Sequence, residues 1–267
     1  MSLKPGKFAE RFLPAAVLTL LLCGCSAAPA IPTPTPTAVP TATALPTSTP
    51  APSPTQLQVQ GIRVSFNAGD GADLSGMLFV GEGEQDIGVV LAHMGAHGAD
   101  QSSWASFAWY AASQGFGVLT FNFRADRSQL ALDALGAIEF LREQGYRRIV
   151  CIGASMGGTA CIRAAANTEL AGLVVISSLW TTGSGPTGGA LVVSSEDLGQ
   201  LTLPKLFVTT ENDGNGVPAT IKQMYAVAPE PKALQIFPGS VHGTEIFATS
   251  QGEEFRDLLL DFLGHLR

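Results

Sequence analysis

Between Arg11 and Arg63 the chain has no charged residue, and charge is scarce throughout, since Asp, Glu, Lys and Arg make up 14% of its 267 residues. The uncharged stretch has two parts. Phe12 to Leu22 is apolar but too short to cross a bilayer, which takes about 20 residues in a helix, and behind Lys4, Lys7 and Arg11 it reads as a secretory signal. From Pro29 to Pro54 nearly every residue is Pro, Thr, Ala or Ser, so no core can form there. Proline fixes φ and removes donors, which predicts an extended, polyproline-like tether reaching up to about 80 Å. A merely tolerated tail fits the same composition, and its threonines are open to glycosylation. Cysteine and histidine are scarce too, at four each, and none has metal-ligand spacing. The net charge is −7, and because residues 1–11 carry +2, the remainder carries −9. That excludes a nucleic-acid-binding role.

At the end of the apolar run, Leu22-Cys23-Gly24-Cys25 resembles the lipobox of bacterial lipoproteins. The resemblance implies cleavage before Cys25, acylation of its thiol and new amine, and a protein held on the outer side of a membrane by lipid. The competing reading is an ordinary signal peptidase site around Ala27 to Ala30 and free secretion. The organisation expected is a signal over 1–24, a tether over 25–56 and one folded domain over 57–267. With Cys23 removed and Cys25 lipidated, Cys151 and Cys161 remain, in apolar surroundings in a strand and the following helix. They are expected as two buried thiols rather than a disulfide, which would need the right geometry.

From Leu57 the pattern becomes that of an α/β domain. Val59 to Phe66 and Leu74 to Val80 predict an antiparallel pair, and Ile87 to Ala92 a strand apolar enough to be buried on both faces. His93 to Gly98 is a Gly-rich loop before a helix over Ser102 to Ser113, with Ser102 or Ser103 as its cap. Strand Phe116 to Phe121, helix Ser128 to Gln144, strand Arg148 to Ile152, the helix after Ser155, and strands Leu170 to Ile176 and Lys205 to Thr209 follow. Helix Val217 to Ala226 and strand Ala233 to Phe237 come next. The C-terminal helix is the clearest, with Phe255, Leu258, Leu259, Phe262, Leu263 and Leu266 in one stripe. Alternating strands and helices demand a doubly wound, mostly parallel sheet with helices on both faces. Ligands in such sheets bind at the carboxyl ends of the strands.

One of those ends carries Gly153-Ala154-Ser155-Met156-Gly157-Gly158. Glycines two residues either side of a serine let strand and helix nearly touch, which pushes Ser155 Oγ out above the sheet, beside the Met156 N–H at a helix N-terminus. A serine hydroxyl needs a base, and the base a partner that fixes its tautomer. His265 faces away from the apolar stripe of the last helix, and His93 and His97 belong to the Gly-rich loop, where His93 can buttress the backbone. His242, in a loop leaving the last strand, remains as the base. The acid should leave the preceding strand, where Asp213 is preferred over Glu211 because it lies in the turn beyond the strand end.

With Ala92-His93-Met94-Gly95, the Ser155 turn, Asp213 and Gly239-Ser240-Val241-His242-Gly243 in this order, the chain resembles the α/β-hydrolase family and its small dienelactone-hydrolase-like members, over about residues 58–267. The resemblance implies oxyanion donors at the backbone N–H groups of Met94 and Met156, and neither metal nor organic cofactor. Two departures stand out. Relatives often carry Arg-Gly-x-Gly-x-Ser where this chain has Arg124-Ala125-Asp126-Arg127-Ser128, which predicts a missing wall. Many also insert a helical cap where Ile176 to Pro204 is here rich in Gly, Ser and Thr, so no large cap domain is expected. Trp180 is a candidate contact for a short acyl group and equally a candidate core anchor. The function expected is a serine hydrolase acting on a small-molecule ester as a carboxylesterase. A peptidase or acyltransferase would share the chemistry, and a non-catalytic envelope binding protein would have no need of the three side chains.

Overall fold

Unbroken apolar filling over Ile87–Ala92 places that segment in the middle of a sheet, and all six residues are buried. The computed structural model describes residues 60–81, 86–95, 99–182 and 190–267. The first strands are β1 (Gly61–Asn67), β2 (Asp73–Phe79), β3 (Ile87–Ala92), β4 (Gly117–Phe121) and β5 (Arg148–Ala154). They are followed by β6 (Gly172–Ile176), the two-residue strands β7 (Thr181–Thr182) and β8 (Leu191–Val192), β9 (Lys205–Thr210) and β10 (Lys232–Phe237). Eight of them form one sheet ordered β1-β2-β4-β3-β5-β6-β9-β10, while β7 and β8 pair only with each other. Within the large sheet β2 runs antiparallel to β1 and β4, and every other neighbouring pair is parallel.

The helices are α1 (Ala105–Ser113), α2 (Leu130–Glu143), α3 (Met156–Ala165), α4 (Ser195–Gly199), α5 (Val217–Val227) and α6 (Gly252–Gly264). Alternation along the strands sends side chains to two separate cores. Phe107 and Ala111 of α1 and Phe255, Leu259 and Leu263 of α6 pack with Val89, Leu91, Val150, Ile152 and Val208. On the opposite face α2, α3 and α5 pack with Val90, Leu119, Cys151, Leu173 and Phe207. The apolar stripe of the last helix is therefore real in space, with Leu258 and Phe262 at its half-buried margin.

Three expectations need correction. The cap before α1 is Asp100, whose Oδ1 accepts from the Ser102 N–H at 2.7 Å, because a short 3-10 turn over Gln101–Trp104 precedes the α-helix and moves the first free donors upstream. Similarly, Arg127–Gln129 form a 3-10 turn, so α2 starts at Leu130 rather than Ser128. Cys151 and Cys161 form a disulfide. Both are fully buried, and the tight strand-to-helix turn between them brings their Cα atoms to 5.8 Å, within bridging range. Among the described residues, the stretch from Ile176 to Pro204 holds only the β7–β8 hairpin and the five-residue α4. Cys25, the tether and residues 96–98 and 183–189 lie outside the described residues.

Candidate active site

Strand β5 and helix α3 are joined by a single residue, Ser155, with φ 51° and ψ −114°. A non-glycine residue in that region costs on the order of 1–3 kcal/mol, and it persists only where its surroundings over-determine it. Here they do. A Cβ on Gly153 would lie 2.3 Å from the Gly157 carbonyl oxygen, and one on Gly157 would lie 2.3 Å from that of Ala92. The Ser155 N–H extends the ladder by donating to the Ile176 carbonyl at 2.7 Å, and its own carbonyl accepts from the Thr159 N–H at 3.2 Å and the Ser178 hydroxyl at 2.9 Å. The Thr159 bond is the ordinary first bond of the helix, whereas the Ser178 bond has no signal in residue spacing, which does not show that the end of β6 lies behind the turn.

Next along the sheet, the β9 and β10 ends are tied by Glu211 N–H to Phe237 O at 2.9 Å and Asn212 N–H to Gly239 O at 2.9 Å. This brings Asp213 under the loop of His242. Asp213 is buried and its Oδ1 lies 2.8 Å from His242 Nδ1, whereas Glu211 is exposed. A carboxylate only accepts, so the Nδ1 proton points at Asp213 and Nε2 is left with a lone pair. The loop around the imidazole is fixed by Thr210 Oγ1 donating to the Val241 carbonyl at 2.9 Å and by the His242 N–H donating to Glu245 Oε2 at 3.0 Å. Gly243 turns the chain with φ 57° directly over Met94, whose Sδ would lie 3.0 Å from a Cβ there. Ser155 Oγ makes no hydrogen bond among the described residues.

The loop after β3 is held by its own histidine. His93 is buried, its Nδ1 lies 2.7 Å from the Met94 carbonyl, and its Nε2 accepts from the Phe123 N–H at 3.2 Å. Burial pushes the imidazole below its ordinary range and so favours the neutral form, the only one with an acceptor for Phe123. The unfolded chain titrates near pH 6.5 and would bind a proton that the folded chain refuses, so stability falls as pH drops below about 6.5. Urea midpoints measured from pH 8 to 5 should therefore decline more steeply for the native chain than for His93→Gln. Parallel curves would assign the decline to other groups.

The segment Arg124 to Ser128, where a wall is expected to be missing, sends its two arginines in different directions. From its 3-10 turn, Arg127 reaches across so that Nη1 lies 2.6 Å from Met156 Sδ, beside Gly95. Arg124, which starts the same loop, instead turns inward, binding Asp70 through both Nη atoms and the fully buried Asp133 through Nε and its backbone N–H. Arg124 holds the Asp70 carboxyl down to about 2. Met94 and Met156 are both buried beside the turn. Trp180 is half-buried against the core of the α3 and α5 side, and its Nε1 donates to Gln223 Oε1 at 3.4 Å, an anchored position. His265 is exposed at the end of α6 with Nδ1 on the Asp261 carbonyl. Among the described residues no group of His, Cys, Asp and Glu could hold a metal ion.

A model of the family described as the alpha/beta hydrolase family matches residues 89–238, a span that takes in Met94, Ser155 and Asp213 and stops short of His242. A comparison with curated proteins gave no match. Among solved structures the chain is similar to a dienelactone hydrolase from Anabaena variabilis, at 21% identity, covering 78% of this chain and 98% of that one with a TM-score of 0.64. It is also similar to the esterase domain of a Rhodothermus marinus protein, at 16% identity, 77% and 97% coverage and a TM-score of 0.61. A third is a serine hydrolase without lid from Xanthomonas campestris, at 16% identity, 80% and 96% coverage and a TM-score of 0.59. At such identities the likeness carries the fold.

Proposed function

The chain belongs to the α/β hydrolase family, and we propose that it is a carboxylesterase that cleaves small acyl esters through an acyl-enzyme at Ser155. The observation that carries this reading is that parallel strands bring to one sheet edge a strained and half-buried serine and a histidine already paired to a buried aspartate. His242 Nε2 takes the Ser155 proton as Oγ attacks the ester carbonyl carbon. The carbonyl π electrons move onto oxygen, and the Met94 and Met156 N–H groups stabilise that oxyanion. Asp213 stabilises the imidazolium without taking its proton. When the tetrahedral intermediate collapses, the bond to the alkoxide breaks, His242 protonates the leaving alcohol, and water repeats the sequence to free the acid. The Rhodothermus esterase domain and the Anabaena dienelactone hydrolase among the similar folds support the ester reading.

A cap that buries a long acyl chain needs an apolar helical face, and neither the β7–β8 hairpin nor α4 has the length for one. Each buried methylene is worth about 0.8 kcal/mol, so without a cap the gain from lengthening the acyl chain should stop after a few carbons. The lidless Xanthomonas fold is consistent with this. We expect kcat/KM for p-nitrophenyl acetate or butyrate to exceed that for the laurate or palmitate. A steady rise to long chains would mean a lipase-like groove, and amide cleavage without ester cleavage would mean a peptidase.

The working place we propose is the outer side of a membrane, with Cys25 carrying lipid and residues 25–56 as spacer. The Cys151–Cys161 bridge supports export, because oxidising compartments are where such bridges persist. Several acyl chains hold a protein firmly where one is marginal, so Cys25→Ser should move the protein from the membrane to the soluble fraction. An unmodified mature N-terminus at Ala27 or later, read by intact mass, would overturn the lipid assignment.

A further inference from the structure

The Ser155 carbonyl and the Met156 N–H are the two ends of one planar peptide group, so whatever fixes the first aims the second. We infer that Ser178 is a positioning residue for the oxyanion site, acting on the Met156 N–H through that peptide; this rests on the proposed role of Met156. An ordinary helix start supplies its first carbonyl with one donor, here the Thr159 N–H at 3.2 Å; Thr159 Oγ1 also lies 3.3 Å from that oxygen, but its single proton has a closer acceptor in the Leu179 carbonyl at 3.0 Å. Ser178 Oγ adds a second and shorter bond at 2.9 Å, from a side chain with no solvent exposure. Its alternative acceptor, the Ile176 carbonyl at 3.2 Å, is the one that receives the Ser155 N–H, so the hydroxyl sits against both ends of the Ser155 backbone.

The surrounding chain is shaped for this contact. Ser177, just before, takes φ 51°, the second strand end in succession to finish on a left-handed serine, and that turn carries Ser178 behind α3. Gly158 leaves the room, since a Cβ there would lie 2.0 Å from Ser178 Oγ. Thr159 Oγ1 then donates to the Leu179 carbonyl at 3.0 Å and ties the next residue of the same segment to the helix. Donation to a carbonyl polarises its amide and strengthens the N–H at the other end, and in a buried site that effect is not diluted by water. The benefit appears where an oxyanion forms, and not in ground-state binding.

The test is Ser178→Ala in the full chain, with active sites counted by fluorophosphonate titration so that any misfolded fraction drops out. Removing a whole oxyanion donor typically costs about 10²- to 10³-fold, so weakening and misaiming one should lower kcat per titrated site about tenfold. KM for p-nitrophenyl acetate should stay within about twofold, and the pH profile should not move because Ser178 does not touch His242. Affinity for a trifluoromethyl ketone, whose adduct carries an oxyanion, should fall by the same factor as kcat/KM. Gly158→Ala, whose Cβ would crowd Ser178 Oγ at 2.0 Å and more mildly the Gly153 carbonyl at 2.9 Å, should lose at least as much per site. Unchanged kcat per site in Ser178→Ala, or a rise in KM alone, would overturn the inference while leaving the esterase reading intact. Failure of the native chain to take any fluorophosphonate would remove both.

Discussion

Ester turnover by Ser155→Ala is expected to fall by on the order of 10⁶-fold, with an unchanged circular dichroism spectrum and an unfolding midpoint close to that of the native chain. The size follows from cooperation, because a serine, a histidine and an aspartate that act as a unit lose nearly everything when the nucleophile goes. In the proposed mechanism what remains is the contribution of the Met94 and Met156 N–H groups and of substrate binding, which act on a water attack instead. The fold should survive because the strained backbone at Ser155 is imposed by Gly153, Gly157 and the bonds to Ile176, Thr159 and Ser178, none of which uses the Ser155 hydroxyl. Turnover above about one-thousandth of the native value would place the nucleophile elsewhere.

The second large effect concerns the acid. Asp213→Asn should lower kcat by about 10⁴-fold, since an amide can donate to Nδ1 and hold His242 in the tautomer whose Nε2 already carries a proton. Asp213 is the carboxylate within 2.8 Å of the imidazole, and its other oxygen faces Thr209 Oγ1 at 3.5 Å, so the substitution changes a proton and little of the shape. Glu211→Gln should cost less than about threefold, as its carboxylate is exposed and screened by water. Measured with p-nitrophenyl acetate at saturating concentration, a reversal of the two effects would give the role to Glu211.

Much of this arrangement is legible in the sequence, and for physical reasons. A strand buried on both faces must read as a continuous apolar run, which is why Ile87–Ala92 matches its predicted limits. An amphipathic helix on the outside of a sheet must show its stripe, which is why α6 was unambiguous. The turn at Ser155 has to carry glycines because of backbone contacts near 2.3 Å, so the motif announces itself. Asp213 and His242 were reachable because parallel strands deliver their following loops to the same edge.

Contacts made between segments distant in sequence were not legible. The Cys151–Cys161 bridge depends on how closely α3 folds back on β5, and ten residues of spacing do not give that distance. Arg127 could be read only as a departure from a familiar loop, because its reach over Gly95 and Met156 follows from a 3-10 turn set by Asp126. Ser178 has no motif at all. Its meaning comes from Gly158, twenty residues earlier, leaving the hydroxyl free to meet the Ser155 carbonyl.

Reaction of the folded chain with a fluorophosphonate, followed by mass spectrometry of the labelled peptide, tests most directly whether Ser155 is the nucleophile. Such a probe forms its bond only with a serine that a neighbouring base has activated and that donors flank. One adduct per chain is expected, on Ser155, absent from Ser155→Ala and greatly slowed by replacement of His242. An adduct on any other residue, or none on active protein, would contradict that assignment.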